Sequence, residues 1–134
     1  MSLQTRVGID LAQISQVAAS LEKFGEAYMK RIFTPAEISY CSQSPLIAAA
    51  RFAARFAAKE AALKALQLED QALDLKSFEV TLTPGGACVL ALHGEARRLA
   101  DAAGWSSWSL SMTHEGDYAM AVVMVLVTGR GESR

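Results

Sequence analysis

Residues 46–68 run for about six helical turns without a glycine or proline and are dominated by alanine. Alanine is the strongest helix former, so this stretch predicts one long helix. On a wheel advancing about 100° per residue, Phe52, Phe56, Leu63 and Leu66 fall in one arc of about 80°. That arc predicts the core face. Glu60 and Lys64 lie just beside it, flanked by Ala53 and Ala57, whose small side chains would leave room near the charges. Lys59 projects into the arc itself, where an unpaired ammonium is costly unless it snorkels to water. Arg55 borders the arc on its other side, and Arg51 adds a fourth cation to the same stretch.

Glu60 and Lys64 stand at i and i+4 with the acid first. The same spacing suits an ordinary exposed helix ion pair, worth about 0.2–0.5 kcal/mol. Spacing alone therefore leaves the chemical and structural readings both open.

Around this helix the chain reads as strands and shorter helices. Residues 3–11 predict a first strand, with Val7, Ile9 and Leu11 on one face. Residues 14–24 have helical apolar spacing, and Gly25 is placed to end that helix. Thr34-Pro35-Ala36-Glu37 fits a capping box that opens a short helix. Residues 42–45 read as a loop. Phe78, Val80 and Leu82 alternate as a strand; Pro84-Gly85-Gly86 turns, and residues 88–92 return. Residues 95–103 predict a helix closed by Gly104. Residues 108–114 and 118–127 predict a hairpin about Glu115-Gly116-Asp117. Antiparallel strands interrupted by helices indicate an α+β fold, a single small domain over residues 1–128 with one long buried helix; residues 129–134 are expected to be a fraying polar tail.

The last strand is apolar on both faces. It is either a central strand covered on both sides within the chain or a strand that also packs against other subunits. Its nine-residue apolar run, 119–127, is too short to span a bilayer, which needs roughly 20 residues. The net charge of −1 argues against a nucleic-acid binder. Cys41 and Cys88 lack metal-ligand spacing and read as reduced thiols in a cytoplasmic protein, a disulfide being the alternative. No signal-peptide pattern is expected from residues 1–8.

Two further positions carry possible chemistry. Asp10 closes Gly8-Ile9-Asp10 and points to the face opposite Ile9. It suits either a hard divalent cation or the cap of a helix beginning near Leu11. His114 ends a predicted strand after Thr113 and suits phosphate contact, proton transfer or simple surface exposure. His93 carries no signal.

Taken together, Val7-Gly8-Ile9-Asp10, Phe33-Thr34-Pro35-Ala36-Glu37, Arg55-Phe56-Ala57-Ala58-Lys59-Glu60-Ala61, Lys64-Ala65-Leu66 and Ser111-Met112-Thr113-His114 resemble the small 4′-phosphopantetheinyl transferases of the holo-acyl-carrier-protein synthase type. The resemblance covers nearly the whole chain, in order. It implies that fold and transfer of 4′-phosphopantetheine from coenzyme A to a serine of an apo acyl carrier protein, releasing 3′,5′-ADP. It implies Mg²⁺ held by Asp10 and Glu60, with Asp10, Glu60 and Lys64 catalytic. It also implies coenzyme A contacts from Arg51, Arg55, Lys59, Lys64, Thr113 and His114, and a homotrimer with active sites between subunits. The chain departs from the family pattern at Gln13, Gln16, residues 42–45, Ala87 and Glu115. Several of these departures remove expected cations from recognition surfaces, and together they leave the metal ligands in place. They imply a specialised carrier partner or reduced activity, the alternative being a non-catalytic trimeric binding module.

Overall fold

The computed structural model describes residues 2–68 and 72–128. In chain order the elements are β1 (Leu3–Gln13), α1 (Ile14–Ile32), α2 (Pro35–Cys41), α3 (Ala48–Leu66), a 3₁₀ turn (Leu75–Ser77), β2 (Phe78–Leu82), β3 (Cys88–Leu92), α4 (Gly94–Ala102), β4 (Trp105–Glu115) and β5 (Tyr118–Thr128). This is the α+β order expected from the sequence. The expected polar tail, residues 129–134, lies outside the described residues.

β1, β5 and β4 form an antiparallel sheet in that order, and β2 and β3 form a separate hairpin. The Trp108 indole N–H donates to the Leu90 carbonyl at 2.8 Å and ties the two sheets together. α3 lies across the larger sheet, packing mainly on β1 and β5.

The helix expected to end at Gly25 breaks there, with φ 57°, and then resumes to Ile32. Glycine allows that left-handed step at no steric cost, so the chain bends without leaving helical structure for long. The capping box on α2 forms as read: Thr34 Oγ1 accepts from the Glu37 amide at 3.2 Å, and Glu37 Oε1 accepts from the Thr34 amide at 2.9 Å.

The predicted core arc of α3 needs correction. Phe52 and Leu66 are buried, but Phe56 and Leu63 are only partly so. The sheet packs instead on an alanine stripe on the far side of the helix, with Ala53, Ala57 and Ala61 all fully buried. Ala53 and Ala57 therefore leave no room beside the charged pair. The predicted arc meets α1, α2 and β2, so α3 is enclosed on both sides.

The alanine stripe permits an unusually close approach of strand to helix. A Cβ on Gly8 would lie 1.8 Å from the Ala61 carbonyl oxygen and 2.9 Å from the Ala65 amide nitrogen. Both are backbone atoms that cannot rotate aside. Gly8→Ala must push β1 off α3 and is expected to cost at least about 1–3 kcal/mol, the usual range for overpacking. Chemical denaturation would read this as a lower midpoint; a wild-type midpoint would contradict the close packing.

Cys41 and Cys88 are both free thiols. Burial pushes the Cys41 thiol up to about 11, so it is an inert core residue. Among the described residues no helix is long and apolar enough to cross a membrane.

Candidate active site

Asp10 sits on β1 between Gly8 and Ala12, the positions whose alternation faces α3. β1 continues to Gln13, so Asp10 caps no helix. The cap of α1 comes from a distant turn. Asp117 accepts from the Ser15 amide at 2.9 Å, from the Ser15 hydroxyl at 2.6 Å and from the Gln13 side-chain amide at 3.0 Å. The Ser15 hydroxyl bond is the main reason the Asp117 carboxyl sits below its ordinary value; desolvation opposes it, and the bonds from the Gln13 side chain and the Ser15 amide add smaller lowering effects. Sequence reasoning missed this cap, because the partners are about a hundred residues apart.

Lys64 Nζ lies 3.3 Å from Asp10 Oδ1 and donates to the Ile9 carbonyl at 2.9 Å. Its ion-pair partner is thus Asp10 on the strand and not Glu60 on its own helix. The i,i+4 pair open from spacing alone does not form. Glu60, one turn before Lys64, is half-buried. Burial raises its carboxyl above the ordinary value, the Asp10 charge raises it further, and Lys64 opposes both. Two carboxylates and an ammonium from two elements therefore converge at one place.

A hard divalent cation fits this donor set. Mg²⁺ takes one or two carboxylates and completes its shell with water and phosphate oxygens. No group of three His, Cys, Asp or Glu side chains converges among the described residues, so Asp10 and Glu60 would supply the protein's share of an open site.

On the other side of α3, a cleft of about 300 Å³ opens against β4. It is lined by Arg51, Arg55, Met112, Thr113 and His114, with Ile47 and the alanines of α3 around them. Four residues expected to contact a phosphorylated ligand are thus brought together. Strand alternation points the Thr113 side chain to the opposite, exposed face, so Thr113 borders the cleft edge-on. Arg55 is only 4% exposed, and among the described residues its Nε has no hydrogen-bond partner. Its guanidinium makes a long 3.5 Å contact to the Arg51 carbonyl. A buried guanidinium with unused donors, beside a second guanidinium and an imidazole, is suited to receive an anion.

Lys59 does not join this set, and its assignment as a coenzyme A contact is corrected. It is fully buried. Its ammonium bonds Glu37 Oε1 at 2.8 Å and Oε2 at 3.1 Å, and the Leu75 and Phe78 carbonyls as well. Neither a ligand role nor a snorkelling route fits that enclosure. The partner was hidden in the sequence, because the capping box explained Glu37 by itself.

β1 and β4 are the two edges of the larger sheet. The Asp10–Glu60–Lys64 cluster and the arginine–histidine cleft therefore lie on opposite sides of α3 in one chain. On β1 and β5 the sheet face turned away from α3 is apolar and uncovered: Val7, Ile9 and Leu11 of β1 and Met120, Met124 and Leu126 of β5 are all exposed. Of the two readings of the last strand, β5 is central in its sheet, but only one of its faces is covered within the chain.

Residues 6–123 match the model of the 4′-phosphopantetheinyl transferase superfamily. The chain is 43% identical over 119 residues to a holo-[acyl-carrier-protein] synthase of Koribacter versatilis, covering 88% of this chain and 94% of that protein. It superposes on the Chronobacterium ammoniagenes ACPS–CoA complex with a TM-score of 0.81 at 29% identity, covering 93% and 98% of the two chains. The Helicobacter pylori holo-[acyl-carrier-protein] synthase in complex with coenzyme A gives a TM-score of 0.77 at 28% identity, covering 89% and 98%.

Proposed function

The chain belongs to the 4′-phosphopantetheinyl transferase superfamily, and from that premise we propose that Asp10, Glu60 and Lys64 carry out its chemistry. It is a holo-[acyl-carrier-protein] synthase, moving the phosphopantetheine arm of coenzyme A to a carrier protein. The carrier serine oxygen forms a bond to the β-phosphorus as the bond to the departing 3′,5′-ADP oxygen breaks. The observation that supports this site assignment is the convergence of Asp10 and Glu60, from separate elements, with Lys64 between strand and helix.

Asp10 and Glu60 would hold Mg²⁺. When bound, that ion supplies charge neutralisation across the phosphoryl oxygens. The residues of the chain do the rest. Glu60, placed beside the proposed metal site, is suited to accept the serine proton. Lys64, more than half exposed beside Asp10, would offer its ammonium to the departing phosphate oxygen and stabilise the charge that develops there. Arg51, Arg55 and His114 receive phosphates in the cleft.

The opposite placement of the two clusters supports a homotrimer in which each active site joins one subunit's carboxylates to a neighbour's cleft. The uncovered apolar face of β1 and β5 supplies the contact surface. Gln13 and Gln16 line a hollow of about 340 Å³ beside Leu11 and Phe56, without a cation among its lining residues. That supports a carrier partner recognised with less charge than the family pattern implies.

The direct test is incubation with coenzyme A, Mg²⁺ and a panel of apo carrier proteins, read by mass spectrometry. A carrier gaining one phosphopantetheine group is expected. No gain across the panel would sink the reading, and equal rapid modification of every carrier would remove the specialisation. Arg55→Ala is expected to raise KM for coenzyme A about tenfold or more, the worth of a charged hydrogen bond.

A further inference from the structure

Arg51 and Arg55 are neighbours one turn apart on α3, and among the described residues neither pairs with a carboxylate. Two like charges that close, one of them buried, need some compensation. It comes from Tyr40, near the end of α2. The Arg51 guanidinium carbon lies 4.3 Å from the Tyr40 ring centroid, and that of Arg55 lies 4.7 Å from the same ring. Both are within cation–π range. Arg51 also donates to the Tyr40 carbonyl at 3.1 Å.

We propose that Tyr40 is a positioning residue that holds both arginines of the cleft with their charge still available to a phosphate. The inference rests on the reading of the cleft as a coenzyme A phosphate site. A carboxylate in place of the ring would hold the arginines as well, but it would neutralise them and compete with the incoming anion. An aromatic face attracts the guanidiniums through its quadrupole and leaves their net charge intact. Their N–H donors lie in the guanidinium plane, and those not bonded to the Tyr40 and Arg51 carbonyls stay available for oxygen. The unpartnered Nε of Arg55 shows this spare capacity. Tyr40 itself does not line the cleft, so its effect passes through the two side chains it holds.

Steady-state kinetics on the full chain, varying coenzyme A at saturating apo carrier protein, tests this. Tyr40→Leu should raise KM for coenzyme A about tenfold and leave kcat within about twofold. Tyr40→Phe keeps the ring and should bind coenzyme A as wild type does. In an Arg51→Ala, Arg55→Ala background, Tyr40→Leu should change KM by less than about twofold, because nothing remains for it to position. A wild-type KM in Tyr40→Leu, an equal loss in Tyr40→Phe, or full additivity with the arginine changes would each overturn the proposal. Should Tyr40→Leu not fold, by circular dichroism, Tyr40→Phe and Tyr40→Trp still decide it: both keep a π face, and a raised KM in either overturns it. Arg55→Ala separates the levels. If it leaves KM unchanged, the phosphate reading of the cleft falls and this proposal with it. If it raises KM while Tyr40→Leu does not, only the positioning role falls.

Discussion

Glu60→Gln is expected to lower the transfer rate by about 10²–10⁴-fold, the range associated with loss of a positioned acid or base. The substitution preserves shape and removes the negative charge. It takes away one of the two carboxylates that converge there among the described residues, and with it the proposed acceptor of the serine proton. Stability should change little, because Glu60 is half-buried, forms no ion pair among the described residues, and keeps a carboxyl raised by burial and by Asp10. Removing its charge relieves that repulsion. Carrier modification followed by mass spectrometry, together with a melting curve, checks both halves. A folded Glu60→Gln protein with wild-type turnover would refute the assignment of Glu60 as ligand and base. An Asp10→Asn variant should lose activity comparably and also release Lys64 from its ion pair.

The second large effect falls on stability. Glu37→Ala is expected to cost about 3–5 kcal/mol, as for other buried pairs that lose one partner. Glu37 and Lys59 are both fully enclosed, and Glu37 also accepts the Thr34 and Val80 amides, at 2.9 and 2.8 Å. Its removal strands an ammonium inside the core. That loss is a large share of the 5–15 kcal/mol typical of a small domain. The paired change Glu37→Leu with Lys59→Met should recover much of it, since no unpaired charge then remains. Urea denaturation of wild type, single and double variants reads this cycle. A Glu37→Ala midpoint equal to wild type would show that the pair contributes nothing. The pair also joins α2 and β2 to α3 in the turn preceding Lys64, so the double variant's activity reports how far the carboxylate site depends on that anchorage.

Much of the architecture was legible in the sequence because it is set locally. The Thr34 capping box, the alternation of β5, the alanine-rich helix and the turn at Gly116 each depend on residues a few positions apart. The motifs around Asp10, Glu60, Lys64 and His114 were readable as a family resemblance, and Arg51, Arg55, Thr113 and His114 do share one cleft. Local pattern misled where it described only one side of an element. The aromatic arc of α3 looked like the whole core face, yet the alanines opposite it carry the sheet, because β1 presents Gly8 and can approach to backbone contact.

The long-range partnerships were decided only by the tertiary structure. Lys59 is a buried structural cation because the fold delivers Glu37 to it across twenty-two positions. Lys64 turns from Glu60 to Asp10 because β1 passes beside its helix. Asp117 caps α1, and Tyr40 gathers two arginines, through contacts with no signature in spacing. By itself the sequence determined the elements, the fold class and the residue types able to do the chemistry. Which charge is spent on stability and which is left for a ligand depends on burial and on partners brought from afar, so only the folded chain could decide it.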